Sequence, residues 1–247
     1  MHNAAFAELG LNSVYVPLPA KNPAEAINGL KALGFKGVSV TIPFKQSIIP
    51  YLDSIDSVAE KIGAVNTLII KENSVHGVNT DWTGANTALQ QKTELAHKKT
   101  LILGAGGSAR ALGFGLRQAG ADIVIANRTP EKGKALADLL QCPFVTLSNL
   151  ESIQADILIN TTSVGMTPNI DATPFPRKYL KQFSVVMDIV YAPQKTRLLR
   201  EAEAEGCRII NGLAMLLFQG VAQFELWTGQ KAPVEVMRQQ LLAGLSK

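Results

Sequence analysis

Several short stretches of this 247-residue chain carry residue types able to do chemistry. Lys45 follows Pro43 and Phe44 in SVTIPFK, at what reads as the start of a helix. The positive end of a helix dipole disfavours an ammonium, so a lysine there is expected to have a depressed pKa suited to acid–base work. Asp81 stands in GVNTDWTG and Asn66 in GAVNT. Taken singly, each has an ordinary alternative: a solvated lysine, an N-capping aspartate, and turn residues at Asn66 and Thr67.

A second group suits a dinucleotide. Gly104, Gly106 and Ala109 in GAGGSARA fit G-x-G-x-x-G/A, directly after an apolar strand and before a helix. The first glycine permits a tight turn, and the second lets the backbone approach a pyrophosphate. The small third residue allows close strand–helix packing, and the helix N-terminus favours the anion. A plain glycine-rich turn is the alternative. At the end of the next strand NAD sites carry an acid for the ribose hydroxyls. This chain has Asn127, Arg128 and Thr129 there, and Asp122 lies at the wrong end of that strand. Arg is a planar donor suited to phosphate, so NADP is preferred over NAD. Lys132, one turn later, is either a second charge for that phosphate or an ordinary surface lysine.

The elements that must position these residues alternate as short strands and helices, which predicts α/β architecture with parallel sheets. Helix is expected at 3–9 and Pro23–Leu33, strand at Val14–Pro17 and Gly37–Ile42, and a helix after Pro43. Val65–Ile70 and Val75–Val78 read as a hairpin, and Asp81 opens a helix. From Thr100 a βαβ unit of about 30 residues begins. It continues with a helix at Glu131–Leu140 and strands at Ala155–Asn160, Val185–Asp188 and Arg208–Ile210. Leu213–Trp227 and Val234–Leu245 have apolar residues at helical spacing.

Composition narrows the function classes. Hydrophobic residues make up 47% and charged residues 18%, enough for a sizeable core and against disorder. Lys plus Arg is 24 and Asp plus Glu is 20, with no basic block, so no nucleic-acid partner is expected. Cys142 and Cys207 make no disulfide framework and fit a reducing cytoplasm. No stretch is apolar for long enough to cross a bilayer, and no signal peptide is evident in the first residues. His2, His76 and His97 show no ligand spacing, and no metal is expected. Trp82 and Trp227 read as packing residues.

SVTIPFK, GAVNT, GVNTDWTG, GAGGSARA, NRT, NTTSVGM, DIVYAP and NGLAMLLFQG occur in this order. Together, and over essentially the whole chain, they resemble the shikimate dehydrogenase family. The resemblance implies two α/β domains around a cleft: a discontinuous substrate domain at 1–83 plus 213–247, and a Rossmann-type NADP domain at 84–212. It implies reversible reduction of 3-dehydroshikimate by NADPH in aromatic (chorismate) biosynthesis, by a monomer or homodimer. Lys45 and Asp81 would be the catalytic pair. Thr41, Asn66, Asp81 and Gln219 would bind substrate hydroxyls, and Tyr191 would lie near the substrate carboxylate. Gly104, Ala105, Gly106, Gly107, Ser108 and Ala109 would cradle the pyrophosphate, with Asn127, Arg128, Thr129 and Lys132 at the adenosine ribose phosphate. Thr162, Ser163 and Met166 would line the cofactor site, and Gly212 would approach the nicotinamide.

The sequence departs from the family pattern in three places. Ser39 stands where Asn often precedes VT, and Lys132 where an Arg often reinforces the phosphate site. Family members also carry a strand and an S-x-S-P segment just before the position of this chain's MHN. Two hydrogen bonds from those serines to a substrate carboxylate are worth roughly 10² to 10⁴ in affinity. The expectation is therefore that Met1 is an internal methionine of a longer natural protein. A quinate/shikimate dehydrogenase of broader specificity, or a catalytically impaired NADP-binding fragment, are the alternatives.

Overall fold

The structure, a computed structural model, describes residues 1–41 and 43–244. The chain divides into two units, Met1–Gly84 with Leu217–Lys247, and Ala85–Leu216.

The first unit opens with α1 (His2–Glu8), α2 (Pro23–Ala32) and β1 (Gly37–Ser39). A 3-10 turn at Ile49–Tyr51 leads to β2 (Ser54–Ile55), α3 (Ser57–Ile62), β3 (Thr67–Lys71), β4 (Ser74–Val78) and α4 (Asp81–Gln90). The strands form one sheet in the order β1-β3-β4-β2. β1–β3 and β3–β4 pair antiparallel, and β2 pairs parallel to β4. This mixed sheet corrects the expectation that the sheets would be parallel. The cause is the two-residue turn Glu72-Asn73, with φ of 47° and 66°. Two positive φ values match the twist of a tight hairpin, and a tight hairpin can only be antiparallel.

Two other expectations fail locally. Val14–Pro17 forms no strand; residues 11–20 have no regular structure. The backbone N–H and C=O of Tyr15 are both taken by the Asn3 side chain, at 2.6 and 2.9 Å, in place of a neighbouring strand. Nor does a helix follow Pro43: residues 43–48 are turns running into the 3-10 turn. Pro50 lacks the N–H that would continue an α-helix from Gln46. The ends of two predicted elements, Ile42 and Leu245, lie outside the described residues.

The second unit contains β5 (Lys99–Leu103), α5 (Gly107–Gln118), β6 (Asp122–Asn127), α6 (Pro130–Leu140), β7 (Phe144–Thr146), β8 (Ile157–Asn160), β9 (Val185–Asp188), α7 (Arg197–Ala204) and β10 (Arg208–Ile210). Two last helices, α8 (Gly212–Thr228) and α9 (Val234–Ala243), follow. The six strands make a wholly parallel sheet in the order β10-β9-β8-β5-β6-β7. This is the doubly wound order, with β5 at the point where strand order reverses. Strands β8 and β9 are buried at every residue, as a parallel sheet covered on both faces requires. Leu101, Leu158 and Val186 pack with Phe175, Phe183, Leu198 and Leu199. Gly113 lets α6 approach α5: a Cβ there would lie 2.4 Å from Leu140 Cδ1.

In the first unit Ile27, Ile48, Ala59, Val65, Leu68 and Val75 form one core, and Phe6, Leu217, Phe224 and Met237 another. Beside them, β1 lies under the Trp227 indole. A Cβ on Gly37 would sit 2.1 Å from Trp227 Nε1, which donates to Leu68 O at 2.9 Å. Gly37→Ala must therefore displace the ring and break that bond. The expected cost is about 2–4 kcal/mol, from overpacking plus one hydrogen bond. Urea denaturation measures it, and a loss below about 0.5 kcal/mol would contradict this account.

Candidate active site

The hairpin places the first cluster. Thr67 and Val78 are register partners, so Asn66 and the Asn79–Asp81 segment fall at the same end of β3 and β4. Val65 N–H donates to Lys45 O at 2.7 Å, which anchors the turn carrying Lys45 to that end. Lys45 Nζ reaches Asp81 Oδ2 at 2.7 Å. The other oxygen, Oδ1, accepts from Asn66 Nδ2 at 2.9 Å. Asn66 is buried, and its orientation is fixed by the Thr80 N–H, which donates to Oδ1 at 2.7 Å. Asn66 Nδ2 also faces Gln219 Oε1 at 3.4 Å. Asp81 begins α4, and its own N–H donates to Asn79 Oδ1 at 3.0 Å. Lys45, Asn66, Asp81 and Gln219 are thus brought together. Thr41 is exposed, four residues before Lys45. The helix expected to act on Lys45 does not form; its partner is the Asp81 carboxylate.

This arrangement defines a chemistry. An ammonium has three N–H donors, and one of Lys45's is directed at Asp81. The remaining two are available to an oxygen of a bound molecule. Both Asp81 oxygens already accept hydrogen bonds, so the carboxylate holds and orients the ammonium. Sequence reading missed Gln223 on α8. This buried amide accepts from Ser39 Oγ at 2.7 Å and donates to Thr67 Oγ1 at 3.0 Å and Asn66 O at 3.2 Å. Its apolar neighbours in sequence gave it the look of helix core.

The second cluster lies at the C-terminal ends of β5, β6, β8 and β9. Gly104 has φ of 115°, and a Cβ there would lie 2.5 Å from Thr161 Oγ1. Gly106 and Gly107 are exposed with nothing within 4 Å of a notional Cβ, and no side chain caps α5. Ala109 is fully buried, while Ala105 and Ser108 are half-buried. Asn127 Nδ2 donates to Thr129 O at 2.8 Å, shaping the turn into α6. Arg128 and Lys132 are exposed, and among the described residues neither has a hydrogen bond or ion pair. Two such cations at a helix N-terminus are unfavourable there, only partly offset by Glu131. Open backbone N–H groups beside unpaired cations fit the pyrophosphate and ribose phosphate of NADP.

Thr162 Oγ1 and N–H both donate to Asn160 Oδ1, at 2.7 and 3.0 Å. Ser163, Met166 and Tyr191 are exposed. Gly212 is buried where a Cβ would lie 2.3 Å from Ile189 O. Its close approach in this chain is therefore to backbone.

Burial moves a carboxyl and an imidazole into abnormal ranges between about pH 4 and 7. Burial pushes the Asp188 carboxyl up from 3.8 to about 6, against the hydrogen bonds from Thr196, Val190 and Asn160. Burial, then the neighbouring α-amino charge, pushes His2 down from 6.5 to about 4, partly opposed by Gln223. His2 is packed between the rings of Tyr15 and Trp227. Among the described residues no group of three His, Cys, Asp or Glu could hold a metal, and no helix is long and apolar enough to cross a membrane.

Residues 1–68 match the family described as "Shikimate dehydrogenase substrate binding domain", 86–190 "Shikimate / quinate 5-dehydrogenase", and 212–242 "Shikimate 5'-dehydrogenase C-terminal domain". A shikimate dehydrogenase (NADP(+)) of Moorella thermoacetica is 47% identical over 251 residues, covering 96% of this chain and 85% of that protein. A shikimate dehydrogenase crystallised with NADP+ superposes with a TM-score of 0.93 at 41% identity, covering 100% of this chain and 90% of that one. The Thermus thermophilus enzyme, in complex with NADP(H) and shikimate, gives 0.88 at 36% identity, covering 98% and 92%.

The titrations of Asp188 and His2 make stability depend on pH with opposite signs. Asp188, raised in the fold, contributes stability that is full below about pH 4 and lost as pH rises through about 6. At about 1.4 kcal/mol per pH unit the loss is on the order of 3 kcal/mol. His2, depressed in the fold, contributes stability that is full above about 6.5 and lost as pH falls through about 4. In urea denaturation between pH 4 and 7, Asp188→Asn is expected to remove the first slope and leave stability rising with pH. The same flat or falling profile as wild type would overturn the assignment.

Proposed function

The chain belongs to the shikimate dehydrogenase family, and on that premise we infer that it interconverts 3-dehydroshikimate and shikimate with NADPH and NADP+, in aromatic biosynthesis. The observation that carries this reading is the Lys45 ammonium, held 2.7 Å from Asp81 with two donors to spare. Reducing a ring ketone generates an alkoxide, which needs a proton and a positive neighbour.

Residues of the second unit would hold the cofactor. The Gly104–Ala109 turn takes the pyrophosphate on its backbone N–H groups. Asn127, Arg128, Thr129 and Lys132 take the adenosine ribose phosphate. Thr162, Ser163, Met166 and Gly212 line the remainder. When bound, NADPH supplies the hydride and NADP+ accepts it in the reverse direction.

Residues of the first unit would hold the substrate and move the proton. Thr41, Asn66, Asp81 and Gln219 bind ring hydroxyls. Lys45 Nζ donates the proton to the developing alkoxide. Asp81 keeps Lys45 aimed until that moment, since its own oxygens are committed to Lys45 and Asn66. In the oxidation of shikimate, the neutral Lys45 amine takes the hydroxyl proton. The chemistry is proton transfer at Lys45 Nζ with orientation by Asp81, and Lys45 is the residue whose loss stops it.

Steady-state reduction of NADP+ by shikimate, with NAD+ and quinate in parallel, tests this reading. Turnover with NADP+ and shikimate is expected, and a folded chain without turnover overturns it. Lys45→Met is expected to lower kcat by about 10² to 10⁴ while leaving NADP+ affinity unchanged. A loss under tenfold would move the proton-donor role elsewhere. Arg128→Ala is expected to raise the KM for NADP+ by roughly 10- to 100-fold, the worth of a charge-assisted hydrogen bond, with little change for NAD+. Equal effects on both cofactors would remove Arg128 from the 2′-phosphate site.

A further inference from the structure

Asp188 is fully buried, and the proton transfer at Lys45 makes no use of it. It ends β9, and its register partner Asn160 ends the adjacent β8. Asp188 Oδ1 accepts from Asn160 Nδ2 at 2.9 Å and from Val190 N–H at 3.0 Å. Oδ2 accepts from Thr196 Oγ1 at 2.7 Å. Asn160 passes the constraint on. Its Oδ1 accepts both Thr162 bonds, and its Nδ2 also reaches Val164 O at 3.3 Å. Thr196 caps α7 through Leu199 N–H. One carboxylate therefore fixes the loop after β8, with Thr162, Ser163 and Met166, and the loop after β9, with Tyr191. The two loops are tied again by Thr167 N–H, which donates to Ala192 O at 2.9 Å.

A buried carboxylate without a cation is costly. Asn160 Nδ2 and the Val190 N–H can only donate, and the Thr196 hydroxyl could accept from a protonated carboxyl only by giving up its own bond to it, so the shell satisfies the ionised form best. Among the described residues no charged side chain is directed at it. On α7 and its approach, Arg197 is committed to Glu201 and to Asp171 O, Arg200 to Lys195 O, and Lys195 to Glu203. On β10, Arg208 donates to Lys92 O. On the strand side Asp156 accepts from Lys99 N–H, and Tyr191 is exposed.

We propose that Asp188 is a positioning residue for the cofactor. Its ionised carboxylate, acting through Asn160 and the Val190 N–H, holds the loops after β8 and β9 in the form that receives the part of NADP beyond its adenosine phosphate. The proposal rests on the functional reading above. It makes cofactor affinity weaken on the acid side, because the carboxyl, raised to about 6 by burial, takes up a proton there.

Calorimetric titration of the full chain with NADP+, and with adenosine 2′-monophosphate, between pH 5.5 and 8 tests it. The 2′-phosphate itself titrates near pH 6, so the quantity read is the ratio of the two affinities, in which that effect cancels. In wild type the ratio is expected to be constant above about pH 7 and to fall about threefold by pH 5.5. Asp188→Asn turns one acceptor into a donor, which the Thr196 hydroxyl can accept only by turning its own hydrogen away. It is expected to lower the ratio about tenfold at pH 8 and abolish its pH dependence, leaving monophosphate affinity unchanged. Thr196→Val removes one donor from the carboxylate and is expected to move the fall to higher pH. An Asp188→Asn chain with the wild-type ratio and profile overturns the proposal while leaving the functional reading intact. Wild type that binds neither ligand overturns both. Thermal melts confirm folding, and if Asp188→Asn fails to fold, a folded Thr196→Val chain with the wild-type profile overturns the proposal by itself.

Discussion

The cluster of the first unit depends on an ion pair between a lysine and an aspartate in a half-buried place. Taking either ion from water costs several kcal/mol, and mutual attraction offsets that only when the leftover lone pairs are satisfied. Asn66 is what satisfies them. Its amide covers the Asp81 oxygen that Lys45 does not, and its own orientation is set by the Thr80 N–H together with the Thr67 and Thr80 hydroxyls. The mixed sheet follows from this need. The β3–β4 hairpin brings Asn66 and Asp81 to one end, and the bond from Val65 N–H to Lys45 O brings the lysine to them.

The cofactor side repeats the device without a counter-charge. Asp188 takes three donors where Asp81 takes a lysine and an amide, and an asparagine on the neighbouring strand again passes the constraint to the loop. The difference in partners sorts the roles. A carboxylate paired with an ammonium leaves a proton to deliver. A carboxylate surrounded by neutral donors has nothing to deliver and can only hold its neighbours in place. The parallel order of the sheet sets both Asn160 and Asp188 at strand C-termini, where ligands of doubly wound folds bind.

Much of this was legible in the sequence because it is local. The glycine turn, the strand after it and the Asn127-Arg128-Thr129 turn lie within one βαβ unit, so spacing alone fixes their relation. Most of the failures are non-local. The Val14–Pro17 strand fails because a strand needs a partner, and the Asn3 side chain occupies Tyr15's backbone instead. The helix after Pro43 fails through a second proline, Pro50, further along the same segment. Gln223 is invisible because nothing in a helical apolar run tells which amide will face a hydrogen-bonding shell built by Ser39 and Thr67, both far away in sequence. Asp188 was legible as part of DIVYAP but not as a hub, since its three donors come from the adjacent strand and from both ends of the loop after β9.

Cofactor preference shows how far charge alone can decide a specificity. Discrimination is a difference of two affinities, and it can be built from attraction to one ligand or repulsion of the other. Here the end of β6 offers attraction only: Arg128 and Lys132 are unpaired cations among the described residues, and no acid stands at Asn127 or Thr129 to hold the ribose hydroxyls of NAD. Their surroundings also fix what that attraction can be. Exposed charges are screened over about 8 Å at physiological salt, so each cation would act on a phosphate at contact distance and contribute little beyond it. A cofactor lacking the phosphate would lose those contacts but meet no opposing charge. On the proposed assignment the preference for NADP is built by addition, and the turn at Gly104–Ala109, which would meet only the shared pyrophosphate, is indifferent between the two cofactors.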